Sequence, residues 1–414
     1  MKILLLHQYF LEKEDGGGSR FNQMTQEWGK QGVDITVIAG MVHYNAGIKR
    51  DRYKGLFTHF DKSFYHRVDV WRSHVSELYN TNFLGRLWAY FSFVFSSLYV
   101  GLWKLKSPPD VIVVTSPPLF IGITAYVLSM VKRVPFVFEV RDLWPESAVD
   151  TGVLKNKLII KLAYKFEAFM YSKAAMVSVL TPAFKEKLIS KGVPANKIVF
   201  LPNAADFTLA NKVQQEFDPL DFRRKLGLVD KFVLTYVGAH GVANHLEQLL
   251  DVADQLKDTN VVFQLIGSGM SKPKLIATAS ARELDNVIFR ESVAKSEVFK
   301  YILASDMGIS VLKKVDTFKT IYSNKTFDYM SCRIPVLMAI DGVSRQLVED
   351  ANCGVYVEPE NTMAMVDAIV SLKQNDRLLQ TMGQTGYEFA IANFDRTVIA
   401  GEYLSVLKNV VAGV

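Results

Sequence analysis

The sequence predicts an α/β protein built from two Rossmann-like domains. Short apolar runs of strand length alternate with longer helix-like segments through both halves. The alternation restarts after LPNAAD at 201–206. The chain has 414 residues, 49% of them hydrophobic, which suffices for two cores.

Residues 3–6 read as the first strand, and the opening apolar run is too short for a signal peptide. A loop with Gly16, Gly17 and Gly18 follows, then a helix over 19–31 and a strand over 34–39. Glycine lets backbone N–H groups approach a ligand, so strand, glycine-rich turn, helix and strand make a nucleotide-binding unit. GGGSRFN breaks the G-x-G-x-x-G spacing, so a dinucleotide site has weak support, and a plain loop also explains the glycines. Residues 41–67 carry His43, Tyr44, Lys49, Arg50, Arg52, Tyr53 and Lys54 and read as one long connection, a candidate acceptor or membrane loop.

Residues 87–103, LWAYFSFVFSSLYVGLW, hold no charge and many aromatics. A spanning helix is not expected, because strand VIVVTS starts at Val111 and its partner strands precede Arg86. Either a buried helix of an α/β layer or an aromatic face dipping into a membrane interface fits. A strand over 135–140 runs into Glu139, Arg141, Asp142, Trp144 and Glu146, at the strand end where α/β sheets hold ligands. A structural ion pair is the bland account of Arg141 and Asp142. The stretch 155–173 is an amphipathic helix with five lysines, suited to anionic lipid or simply to water. Thr181–Pro182 opens another helix, with threonine as cap and proline at its first position.

In the second half, strands are expected at 232–237, 261–266, 287–289 and 307–311, with a helix near 244–256. Gly238 and Gly241 can form a turn close to a diphosphate, and Gly267-Ser268-Gly269 ends the next strand. Residues 322–342 read as loop, short helix, turn and strand. Ser323 suits the N-cap, Lys325 and Asp328 share a helix face, and Pro335 starts the strand that follows. A helix N-terminus favours phosphate, and a carboxylate one turn on can accept from a sugar diol. A surface helix with a solvated Lys and Asp is the bland alternative. Residues 388–411 read as one or two amphipathic helices.

S-N-K-x-F-D-Y-M-x-x-x-x-P-V resembles the nucleotide-binding signature of the retaining glycosyltransferases of family 4, which have the GT-B fold. EVRDLWPES and TSPP resemble a bacterial surface-polysaccharide subgroup that includes fucosamine and colanic-acid transferases. The resemblance implies two Rossmann-like domains facing across a cleft. An acceptor domain would span 1–203, a nucleotide-sugar domain 204–387, and a tail over 388–414 would cross back to the first. It implies Asp328 on the ribose, Lys325 and Arg290 on the diphosphate, and backbone around Val293 on the base. Gly17, Gly18, Gly238 and Gly241 would face the donor. Asp142, Glu139 and Arg141 would be the catalytic residues, near the sugar or acceptor, and Arg20 and Glu146 would bind the acceptor. Three departures stand out. Thr320 replaces the family's first Glu, Arg141 replaces a His, and Ala239, His240, Asn244 and His245 occupy the region of its phosphate-binding Arg and Lys.

Residues 1–203 hold 26 Lys and Arg against 16 Asp and Glu, and the rest hold 22 against 26. A basic first half points to an anionic surface. No dense basic run or nucleic-acid motif occurs, so lipid is favoured over nucleic acid. The two cysteines, Cys332 and Cys353, read as buried thiols. No D-x-D or metal-ligand cluster occurs, so no cofactor and no metal are expected. The expected activity is transfer of a sugar, with retention, from a UDP-sugar to a lipid-linked saccharide. GDP is the other nucleotide considered. The expected place is the inner face of the cytoplasmic membrane, held peripherally. A GT-B nucleotide-sugar epimerase and an inactive sugar-nucleotide-binding partner subunit are the rivals.

Overall fold

The computed structural model describes residues 1–13, 15, 20–42, 47–81, 83–150, 152 and 154–413, apart from the side chains of Asn80 and Phe83. Gly17, Gly18, His43 and Tyr44 lie outside the described residues. The chain divides into two compact units. The first takes the chain up to Pro202 and resumes at Thr397, and the second runs Asn203–Arg396.

The first unit is built on an eight-stranded sheet. Its strands are β1 (Lys2–Leu6), β2 (Asp34–Gly40), β3 (Thr58–Tyr65), β4 (Val68–Ser73), β5 (Val111–Ser116), β6 (Phe136–Val140), β7 (Met176–Val179) and β8 (Ile198–Phe200). The order is β3-β4-β2-β1-β5-β6-β7-β8, parallel throughout except for the β3–β4 pair. Parallel strands between helix layers are covered on both faces and read as unbroken apolar runs. β5 and β6 show this, with every residue buried. The expected long connection over 41–67 is corrected by β3. This antiparallel edge strand has one buried residue, Phe64, among polar neighbours, so it lacks an apolar run.

Helix Phe83–Tyr99 continues as a wider turn over Val100–Lys104. Its inner face buries Ala89, Phe93, Val94 and Val100, and Ser97 Oγ meets Thr124 Oγ1 of helix Ile121–Lys132 at 2.9 Å. The other face leaves Trp88, Phe95 and Trp103 open to solvent at 52%, 58% and 69%. No helix among the described residues is long and apolar enough to cross a membrane. Helix Lys157–Lys173 is capped by Asn156, and it too exposes apolar side chains, Leu158 and Leu162, among its lysines.

The second unit carries a six-stranded, all-parallel sheet of β9 (Phe232–Val237), β10 (Val261–Ile266), β11 (Val287–Arg290), β12 (Met307–Val311), β13 (Val336–Ala339) and β14 (Gly354–Tyr356). Its order is β11-β10-β9-β12-β13-β14. The chain order reverses between β9 and β12, as it does between β1 and β5 in the first sheet. Open α/β sheets hold ligands at the carboxyl ends of the strands flanking such a switch point.

The expected tail over 388–414 is corrected at its start. Helix Asp376–Asn393 buries Leu379, Gly383, Gly386 and Ala390 within the second unit. The return begins at Thr397 on the following helix, Arg396–Ala412. That helix completes the first unit's core with Ile399, Tyr403, Leu404 and Leu407. Trp28 Nε1 donates to Ala400 O at 2.8 Å, and the Trp28 and Tyr403 rings meet edge to face with centroids 5.5 Å apart.

Candidate functional site

At the switch point of the second sheet, β9 is followed by Gly238, whose φ of +148° is open to glycine. A Cβ there would stand 3.2 Å from the Tyr236 hydroxyl and 3.3 Å from Lys325 Cε. The Lys325 side chain therefore lies against the Gly238 turn, with its ammonium 4.9 Å from the Tyr236 ring centroid. Burial pushes the Lys325 amine down to about 8, and the nearby Asp328 charge opposes that shift.

Lys325 and Asp328 sit on helix Asn324–Ser331. Ser323 is its N-cap residue, but its hydroxyl does not accept from the first turn. It is shared with Ser310 Oγ and takes a 3.3 Å hydrogen bond from Lys325 Nζ. The first amides of the helix thus have no side-chain cap, a condition that favours an anion. Asn203 Nδ2 donates to Asn324 Oδ1 at 2.6 Å and ties the Pro-Asn turn to this helix. Asp328 is buried, and Lys295 donates to its Oδ2. Val293, in the loop after β11, packs in the cluster that holds Phe327 of the same helix. Lys325, Asp328, Gly238 and Val293 are therefore gathered around one helix and one strand end.

Two expected donor residues are placed otherwise. Arg290 donates from Nε to Gln264 Oε1 at 2.8 Å, and its guanidinium lies 5.1 Å from the Tyr301 ring. Gln264 is mid-strand in β10 and fully buried, so the arginine turns back along the sheet instead of toward Gly238. Gly241 has an ordinary φ of −104°, and a Cβ there would meet only Asn244 Oδ1 at 3.5 Å, so no glycine-specific turn forms.

Three other groups stand here, and sequence reasoning misses two of them, the lysines. Lys272 is buried and donates to the Gly267 and Arg290 carbonyls at 2.9 and 2.8 Å and to Glu291 at 2.8 Å. His240 is fully enclosed, and burial, aided by the Lys272 charge, pushes its imidazole down to about 4 against a smaller opposing effect of Glu291. Gly269 must be glycine, since a Cβ there would lie 2.6 and 2.9 Å from the His240 backbone C and N. Lys295 is the third. A G-x-G turn at a strand end signals the close packing of these loops, but nothing local in the sequence signals the two lysines.

In the first unit the expected catalytic and acceptor residues do not form one site. Glu139 is fully buried, with Oε1 3.2 Å from Arg20 Nε. Arg20 also donates to Leu201 O at 2.7 Å and to Pro202 O. This ion pair fastens the chain where the unit ends, and the structure places Arg20 and Glu139 against each other in it. Glu146 is paired with Lys191 at 2.5 Å, and Lys191 also holds Glu167 at 2.7 Å. Those three residues line a groove of about 810 Å³ between helix Lys157–Lys173 and helix Pro182–Ser190.

Asp142 and Arg141 stay at the carboxyl end of β6. Burial holds the Asp142 carboxyl above the usual range, opposed by Ser147 Oγ, which donates at 2.8 Å, and by the Leu143 amide. The Arg141 amide donates to Ser116 O at 2.9 Å. Next to them, at the β1/β5 switch point, His7 Nδ1 meets Thr115 Oγ1 at 2.6 Å. Burial first, then the charges of Arg141 and Arg72, keeps the His7 imidazole well below its ordinary value. His7 closes the first strand, where an isolated histidine carries no recognisable spacing.

Residues 15–204 match the glycosyl transferase 4-like domain, and residues 231–375 match the glycosyl transferases group 1 domain. WcaI of Escherichia coli (strain K12), named for glycosyl transfer in colanic acid biosynthesis, is 23% identical over 99% of this chain and 100% of its own length. HepE of Anabaena, solved with UDP, shares the fold with a TM-score of 0.69 and 18% identity over 99% of this chain and 100% of that one. Sucrose-phosphate synthase of Thermosynechococcus elongatus shares it with a TM-score of 0.75 and 16% identity over both whole chains.

Proposed function

Because the chain belongs to the family 4 glycosyltransferases of GT-B fold, we propose that it moves a sugar, with retention, from a UDP-sugar to a lipid-linked saccharide in bacterial surface-polysaccharide assembly. The observation that carries this is the gathering of Lys325, Asp328 and the Gly238 turn at the switch point of the second sheet. UDP is favoured by the UDP with which HepE is solved, and the polysaccharide context by the relative WcaI.

In this reading Asp328 accepts from the ribose, and Val293 and its loop flank the base. Lys325 and the uncapped amides of helix Asn324–Ser331 face the diphosphate. As the bond from the anomeric carbon to the diphosphate oxygen breaks, negative charge grows on that oxygen. A fixed ammonium and oriented amides stabilise it without reorganising. The acceptor hydroxyl forms the new bond on the same face and passes its proton to a diphosphate oxygen. No metal is required in this scheme, because Lys325 and the helix amides supply the positive charge. Asp142, with its raised carboxyl, orients the sugar or acceptor.

The first unit meets an anionic bilayer, peripherally at the inner face of the cytoplasmic membrane. Helices Phe83–Tyr99 and Lys157–Lys173 both expose apolar side chains, the second among lysines, and both pack on helix Ile121–Lys132.

Calorimetry with UDP and GDP, on the wild type and Asp328→Ala, tests the donor site. One nucleotide should bind the wild type without added metal, with affinity lost in the variant. Absence of binding to both nucleotides overturns the reading. A second reading, an inactive partner subunit, draws support from Thr320, whose hydroxyl donates to Thr317 O at 2.7 Å where the family places a carboxylate. Nucleotide-sugar binding without turnover on any lipid-linked acceptor would favour it.

A further inference from the structure

The carboxylate of Asp328 is buried. A buried carboxylate needs a charged or hydrogen-bonding partner. Lys295 supplies it. This residue opens helix Lys295–Leu303, directly after the loop that follows β11, and donates to Asp328 Oδ2. Both side chains are largely enclosed, the lysine at 19% exposure and the aspartate at 11%. Oδ1 receives no hydrogen bond among the described residues, so Oδ1 is the uncommitted acceptor of the pair, beside an Oδ2 whose charge Lys295 already shares.

We propose that Lys295 is a specificity-determining residue of the donor site, which engages Asp328 Oδ2 so that Oδ1 is the preferred acceptor of a ribose hydroxyl. The inference rests on the donor-site reading above. A carboxylate with both oxygens open accepts from both hydroxyls of a vicinal diol. With Lys295 in place the two hydroxyls are read unequally. Lys295 acts through Asp328 and is a positioning residue. It also fixes the carboxylate in direction, which lowers the ordering cost of binding.

The test is calorimetric titration of UDP, 2′-deoxy-UDP, 3′-deoxy-UDP and UMP, with the guanine series in parallel, into wild type, Lys295→Met and Lys295→Gln. In the wild type one deoxy analogue should bind about 10- to 100-fold more weakly, as expected for a lost hydrogen bond to a charged group, and the other should bind nearly as well as the parent. Lys295→Met frees Oδ2, so both deoxy analogues should then lose affinity. Lys295→Gln keeps a donor to Oδ2 and should retain the wild-type pattern, which covers the case in which the methionine variant does not fold. The diphosphate and monophosphate should weaken by the same factor in Lys295→Met. Equal losses for the two deoxy analogues in the wild type overturn the proposal. So does a Lys295→Met effect confined to the diphosphate, which would place the lysine at the phosphates. Absence of all nucleotide binding by the wild type sinks the donor-site reading itself and is distinct from both.

Discussion

Lys325 sits against the Gly238 turn with its amine pushed down to about 8 by burial. A bound diphosphate favours the ammonium, so above pH 8 binding must take up a proton. Nucleotide affinity should therefore hold steady below pH 8 and fall up to about tenfold per unit between pH 8 and 10. Lys325→Arg should flatten that slope, and calorimetry across pH would show it. His240 titrates on the other side. Its folded value of about 4 lies below the ordinary 6.5, so its contribution to stability is whole above pH 6.5 and is lost as pH falls toward 4. Urea unfolding should show His240→Phe to be less acid-sensitive than wild type by about 1 kcal/mol per pH unit in that window. Breaking the enclosed Arg20–Glu139 pair strands a charge, so Glu139→Ala should cost about 3–5 kcal/mol of stability. A donor-binding constant unchanged in that variant would accord with its structural role.

At the scale of elements, helix Phe83–Tyr99 and the turn after it serve the core on one face and show aromatics on the other. Replacing Trp88, Phe95 and Trp103 by serine removes little packing, since all three are more than half exposed. Stability should change by less than about 1 kcal/mol. Sedimentation with vesicles rich in phosphatidylglycerol should fall about tenfold or more. Unchanged sedimentation would remove the membrane role of this helix. The elements also show what a sequence discloses. β9, β10 and β12 are legible to the residue, at 232–237, 261–266 and 307–311, because strands covered on both faces are written as apolar runs. β3 is not, because an edge strand facing solvent carries ordinary polar residues. Lys325 and Asp328 are legible because helical spacing is local. Lys295, Lys272 and His7 come to their sites through the topology of the sheets, and no spacing announces them. Arg20 and Glu139 stand at the ligand-bearing ends of their elements, and only packing reveals that they face each other.

For the molecule as a whole, the first unit depends on the last helix. Tyr403 is fully buried, and Trp28 spends its indole N–H on the Ala400 carbonyl. A chain ended after Asn393 should lose the cooperative unfolding of the first unit, while UDP still shifts the transition of the second, as followed by calorimetric scanning. Amide exchange should show the same division, with UDP protecting β9, β12 and helix Asn324–Ser331 more than any strand of the first sheet. The chain leaves the first unit at Pro202 and comes back at Thr397. During synthesis the first half therefore waits, with the seat of Tyr403 open, while residues 203–396 are translated. At about 5–20 residues per second that wait lasts roughly 10–40 s, before the release of the nascent chain from the ribosome. The strands of the first sheet are thus made well before the helix that seals them, and a stop codon just before Thr397 would be felt first in the unit that was made first.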